Sequence, residues 1–146
     1  MKISAKSRYA LACLIHMGSQ VDEGPITLAA LSDDLNISKI YLEQVFALLK
    51  RGDIVTSTKG ARGGYQLARP ARDISAFDVL ATIETTLFEK ASATVADKAP
   101  SVEHVLQADI FDQLDTAIEA QLKSMTLDTL ISKAAHHSDD GYMYYL

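Results

Sequence analysis

The chain has 146 residues, of which 48% are hydrophobic and 23% charged, and its net charge is −5. That length suits one main folding unit, and the apolar share with only three prolines excludes a mainly disordered chain. The longest unbroken apolar run, Tyr9 to Ile15, falls far short of the roughly 20 residues of a membrane helix and is too short for a signal-peptide core, so no membrane association and a cytoplasmic location are expected.

Residues 2–19 read as a first helix, with Ile3, Tyr9, Ala10, Cys13, Leu14 and Met17 near 3.6-residue spacing. Gly18 and the run Asp22-Glu23-Gly24-Pro25 end it. Thr27 reads as the N-cap of a short helix to Leu35, with Leu28, Leu31 and Leu35 inward, and Asn36 as a turn residue that tolerates left-handed geometry. Ser38 reads as the next N-cap, opening a helix from Lys39 to about Lys50 with Ile40, Val45, Leu48 and Leu49 in the core. Two short helices joined by so tight a turn fit a helix-turn-helix.

The β-branched run from Asp53 to Ser57, the loop Lys59-Gly60-Ala61-Arg62-Gly63-Gly64 and the return Tyr65-Gln66-Leu67-Ala68 predict a β-hairpin with a cationic tip. A helix-turn-helix followed by such a hairpin is a winged helix. Ser75-Ala76-Phe77-Asp78 predicts a capping box opening a helix to about Glu84. The small, polar residues 85–100 read as a loose linker. From Ser101 to about Met125 runs the longest helical pattern, with Leu106, Ile110, Leu114, Ile118 and Leu122 in an i+4 stripe opposite an acidic face. A second copy of the chain is the expected cover for that stripe, with packing on its own domain as the competing reading. A short final helix begins near Thr126, and the tail closes on Tyr142-Met143-Tyr144-Tyr145-Leu146. The expected fold is mainly α: a winged helix-turn-helix domain over 1–84, a linker over 85–100, and a dimerisation helix with a C-terminal tail over 101–146.

Charge is divided along this plan. Residues 1–75 carry ten Lys and Arg against seven Asp and Glu, whereas residues 76–146 carry four against twelve. A basic first half on an acidic chain points to a polyanionic partner for that half. Cys13 is the only cysteine, which excludes an intramolecular disulfide and a cage of cysteines for zinc or an iron–sulfur cluster. No cofactor is therefore expected.

Four segments carry a resemblance: Lys2 to Leu11, Glu23 to Leu28, Ile37-Ser38-Lys39-Ile40-Tyr41-Leu42-Glu43-Gln44, and Lys59 to Pro70 with its Gly-Gly-Tyr. Over residues 1–84, and again at Met125 to Leu130, the chain resembles the Rrf-two family of bacterial winged-helix regulators, which includes the iron–sulfur cluster regulator, the nitric-oxide-sensing repressor and the cysteine-metabolism repressor. The resemblance implies a homodimer through the long helix, bound to palindromic operators in double-stranded DNA. Many members carry three cysteines between the last wing-domain helix and the dimer helix. Thr85 to Val105 has none, which places the chain nearest the cluster-free branch of the cysteine-metabolism repressor. The aromatic, aliphatic stretch Tyr142 to Leu146 is similar to that branch's chain end. Two positions depart from the family pattern. Ser7 stands where glycine is usual, and Gly52-Asp53 replaces a small residue followed by glycine, so Asp53 is expected to take left-handed geometry.

The first turns of the second helix in a helix-turn-helix enter the major groove. Ser38, Lys39, Tyr41, Glu43 and Gln44 are the candidate DNA-binding residues there: Gln44 suits adenine N6 and N7, and Glu43 the cytosine amine. Ser38 has N-capping, Tyr41 packing against the first helix, and Glu43 a plain solvated charge as competing roles. Lys59 and Arg62 at the wing tip suit a narrow, negative minor groove, and Lys2, Lys6 and Arg8 suit phosphates at the first helix. In the family the two wing cations are commonly Arg then Lys; the swap here implies weaker insertion.

His136-His137 with Asp139-Asp140 reads as solvated charge rather than a metal site, and no arrangement reads as catalytic, so the chain is not expected to be an enzyme. The expected function is a sequence-specific repressor, of cysteine or sulfur metabolism by resemblance. The alternatives are a docking partner of an enzyme such as cysteine synthase, through Tyr144, Tyr145 and Leu146, or a redox or stress sensor of the same family. For the tail, packing on the dimer helices competes with docking; for Cys13, core packing competes with a redox role.

Overall fold

The computed structural model describes residues 1–20 and 24–145, with side chains described through Asp139. Asp22 and Glu23, expected in the turn that ends the first helix, lie outside the described residues, as do Leu146 and the side chains of Tyr144 and Tyr145.

Three caps set the order of the first helices. Ser4 accepts from the Ser7 N–H and opens α1 (Ala5–Ser19); Thr27 accepts from the Ala30 N–H and opens α2 (Leu28–Leu35); Ser38 accepts from the Tyr41 N–H and opens α3 (Lys39–Arg51). Each side-chain oxygen satisfies a donor that has no partner within its helix. Between α2 and α3, Asn36 takes the left-handed conformation at φ 53°, and Ser32 Oγ donates to the Ile37 carbonyl at 2.6 Å. This is the helix-turn-helix, closed by local chemistry.

Leu42, Val45, Phe46 and Leu49 of α3 are all wholly buried, together with Ala10, Cys13 and Leu14 of α1 and Leu31 of α2. The expected core face of α3 needs a correction. Ile40 is 71% exposed and Leu48 only half-buried, because the helix turns its 42, 45, 46 and 49 stripe inward. Gly52 caps α3 and Asp53 follows at φ 57°, the left-handed geometry expected of Asp53.

β1 (Val55–Thr58) pairs antiparallel with β2 (Gly64–Leu67), in register from Val55 opposite Leu67 to Thr58 opposite Gly64. Ile26 adds a short third rung: its N–H donates to the Tyr65 carbonyl at 2.9 Å, and the Tyr65 N–H donates back to the Ile26 carbonyl at 2.7 Å. That rung explains Gly64. At φ 145°, a Cβ there would stand 2.5 Å from the Ile26 carbonyl oxygen.

After a 3-10 turn at Ala71–Asp73, α4 (Ala76–Ile83) opens on a complete capping box. The Ser75 N–H donates to Asp78 Oδ2 at 2.9 Å, and the Asp78 N–H donates to Ser75 Oγ at 3.1 Å. The segment up to Ala99 has no helix or strand, and most of it is exposed, but it is pinned to its neighbours at two places. Phe88 packs on Phe77 with ring centroids 4.7 Å apart, and Glu103 Oε2 accepts from the N–H groups of Thr94 and Val95 at 2.9 and 2.7 Å.

The long helix is a rod of three parts: α5 (Pro100–Val105), a π-helical stretch (Leu106–Phe111) and α6 (Asp112–Lys123). The π stretch inserts a residue into the turn and shifts the apolar stripe around the axis. The final helix is not short: α7 runs over Leu127–Tyr145. It returns to the winged-helix half rather than belonging to a separate unit. Leu127 is wholly buried in the same core as α1 and α3, Leu130 and Ile131 pack against that core, and the Leu127 N–H donates to the Ile74 carbonyl at 2.8 Å. Gly18 faces Ile131 so closely that a Cβ would stand 2.0 Å from its Cδ1.

Candidate nucleic-acid interface

With 42, 45, 46 and 49 turned into the core, α3 presents 39, 40, 43, 44 and 47 to solvent. Lys39, Glu43 and Gln44 therefore share one open face. Tyr41 is not fully on it. The ring is half-buried and meets Tyr9 of α1 edge-on, with centroids 5.3 Å apart and planes at 87°. This contact ties the recognition helix to the N-terminal part of α1. Ser38 is exposed while its Oγ accepts from the Tyr41 N–H at 3.5 Å, so its capping role is visible in the geometry.

The wing is anchored at its base and open at its tip. Tyr65 meets Phe46 with centroids 4.9 Å apart and an interplanar angle of 63°. The tip turns through the Gly63 N–H donating to the Gly60 carbonyl at 3.0 Å, with Lys59 and Arg62 both exposed. Lys2, Lys6 and Arg8 are exposed as well. Positions two apart on a helix point in different directions, so Lys6 and Arg8 do not share one face of α1.

Among the described residues the ion pairs are His16 with Asp34, Arg69 with Asp78, and Lys123 with Glu119. None engages Lys2, Lys6, Arg8, Lys39, Lys59 or Arg62. A cation not held in an ion pair remains available to a phosphate. Arg69 is of the other kind: it reaches the carbonyls of Asp53 and Asp73 at 3.0 and 3.2 Å and Asp78 at 3.4 Å. It pins the end of the wing to α4 through groups that no local sequence pattern links.

One supporting residue escaped the sequence reading. Glu84, at the end of α4, accepts from the Ser4 N–H at 2.8 Å and from Ser7 Oγ at 2.9 Å. Hydrogen bonds from Ser4, by side chain and backbone, and from Ser7 hold its carboxyl below its ordinary range. This gives Ser7 its reason: it is wholly buried and donates to the carboxylate, which a glycine could not do. The pair fixes the start of α1, where Lys2, Lys6 and Arg8 sit. Glu103 is held low in the same manner, by the N–H of Val95, the Gln107 side chain and the N–H of Thr94.

The stripe of the long helix divides in two. Ile118 and Leu122 turn toward their own chain, where they line an apolar cavity of about 350 Å³ with Met1, Ile3, Leu80 and Leu87. Leu106 is half-buried, whereas Ile110 and Leu114 are open, alongside Val102 and Val105.

Cys13 is wholly buried, and burial pushes its thiol up to about 11, so it stays protonated and lacks the thiolate character of a reactive cysteine. His136 and His137 are exposed on α7, and among the described residues no group of three or more His, Cys, Asp or Glu comes together. No described helix is long and apolar enough to cross a membrane.

Residues 3–133 match the family model Rrf2, described as an iron-dependent transcriptional regulator. The chain is 30% identical to the HTH-type transcriptional regulator CymR of Bacillus subtilis over the full length of both. It is also 30% identical to the HTH-type transcriptional regulator IscR of Photobacterium profundum, over 90% of this chain and 76% of that one. Among solved structures, that of CymR, the global cysteine regulator of B. subtilis, superposes with a TM-score of 0.75 at 30% identity, covering 91% of this chain and 98% of that one. IscR of T. potens superposes at 0.70 with 31% identity, covering 92% and 88%. An iron–sulfur cluster needs thiolate ligands. With one cysteine, buried and protonated, and none between residues 85 and 105, the donors here do not fit one.

Proposed function

The chain belongs to the Rrf2 family of winged-helix transcriptional regulators and is no enzyme, and from that premise we propose that two copies of it act as a repressor on a palindromic operator in the cytoplasm. The observation that carries this reading is the open face of α3, where Lys39, Glu43 and Gln44 stand clear of the core. Each copy places that face in the major groove of one half-site, where Gln44 pairs with adenine and Glu43 accepts from cytosine. Glu43 repels phosphate, so its place on this face makes chemical sense against a base edge. Lys59 and Arg62 enter the flanking minor grooves, and Lys2, Lys6, Arg8 and the hydroxyls of Ser38 and Tyr41 meet phosphates. The open residues Ile110 and Leu114 form the contact between copies, with half-buried Leu106 at its edge, while Ile118 and Leu122 back the rod from their own chain.

The likeness to a global cysteine regulator supports sulfur metabolism as the regulon. Cysteine synthase as a partner, held through Tyr144, Tyr145 and Leu146, rests on the sequence of the tail alone. Removing Tyr142–Leu146 separates its two roles: loss of dimer stability means packing, whereas loss of enzyme binding alone means docking.

Genome-wide footprinting of the tagged chain tests the main reading. Pseudo-palindromic sites beside sulfur-metabolism genes support it. Palindromic sites beside unrelated genes keep the regulator and overturn the regulon, and enrichment without a palindrome overturns the two-copy mode.

A further inference from the structure

Ile40 lies outside the packed core. It is 71% exposed, while the other large apolar side chains of α3 are wholly buried or half-buried. It sits second in the helix after the cap Ser38, in the turn that reaches base edges in a helix-turn-helix. Helical spacing places it on one stripe with Glu43, Gln44 and Ala47, all of them exposed. Glu43 and Gln44 on that stripe can accept or donate hydrogen bonds, whereas Ile40 can do neither and is the largest apolar side chain there. Guanine, adenine and cytosine present donors and acceptors to the major groove, and only thymine adds an apolar group, its C5 methyl. A β-branched side chain in a helix is held to one main rotamer, so Ile40 offers a stiff apolar surface at a fixed place.

We infer that Ile40 is a specificity-determining residue that packs against the C5 methyl of a thymine in each half-site. Water is excluded from both apolar surfaces only when thymine is present, so the contact discriminates without a hydrogen bond. This inference rests on the DNA-binding reading above.

The test begins with the full chain selecting its operator from random duplex DNA. Each thymine of the recovered half-site is then replaced by deoxyuridine, which removes the methyl and nothing else. At one thymine per half-site, the loss should weaken the native chain by about fourfold, the worth of one buried methylene-sized group. Ile40→Ala should bind the thymine and deoxyuridine duplexes equally at that position, and Ile40→Val should retain a difference. Because the change of base leaves the protein untouched, a folding defect cannot produce the result. A recurrent operator with no methyl-sensitive thymine, or with a penalty that persists in Ile40→Ala, overturns the inference and leaves the DNA-binding reading intact. Failure to recover any recurrent sequence overturns both.

Discussion

Two amphipathic helices of this chain solve the same problem in opposite ways. In α3 the apolar stripe Leu42, Val45, Phe46 and Leu49 is wholly covered by the chain's own α1, α2 and wing. In the rod over residues 100–123, Val102, Val105, Ile110 and Leu114 remain between 42% and 54% exposed. A helix whose apolar face is satisfied internally has its polar face free for recognition. A helix whose apolar face is left open calls for a partner, because exposed apolar surface of this kind gains free energy by burial.

The sharpest way to break the comparison is to damage each stripe in turn. Phe46→Ala removes a wholly buried ring that also braces Tyr65 of the wing. It should cost about 3–5 kcal/mol of folding stability, read by urea or thermal unfolding, at any chain concentration. Leu114→Glu should leave the fold of the single chain intact and separate the copies. Sedimentation should show a dimer dissociation constant raised about tenfold or more, since a buried leucine contributes roughly 1.5–3 kcal/mol. If Leu114→Glu instead unfolds the chain, the rod is part of the core and the contrast fails.

A smaller effect concerns how the winged helix is held together. The carboxyl of Glu84 lies below its ordinary value of 4.5 through its bonds with Ser4 and Ser7. A lowered folded value means stability that is present above the ordinary value and lost as the pH falls through the folded one. Acid unfolding of the native chain should therefore include a component that Glu84→Gln lacks. Identical pH profiles of stability below neutrality would show that the bridge adds nothing.

The features legible in the sequence were those decided within a few residues. Thr27, Ser38 and the Ser75–Asp78 box cap their helices because each needs only a side-chain oxygen three residues from an N–H. The hairpin from Val55 to Leu67 was readable for the same reason. Ile40 departs from the expectation of a core residue because apolar character alone does not set burial: the core face of α3 is set by what α1 and α2 offer it. Glu84 was missed because its partners lie 77 and 80 residues away. The length of α7 and the ordering of residues 85–99 likewise depend on contacts across the fold, such as Ile131 against Gly18 and Phe88 against Phe77.

The central claim is that α3 reads bases while the wing supplies charge. The most direct measurement compares Gln44→Ala and Lys59→Ala for binding to the selected operator and to unrelated duplex DNA across a range of salt. Gln44→Ala should lose about 1–3 kcal/mol on the operator alone with an unchanged salt slope, and Lys59→Ala should weaken both DNAs alike with a slope reduced by about one. Equal losses from both variants on both DNAs would contradict the account.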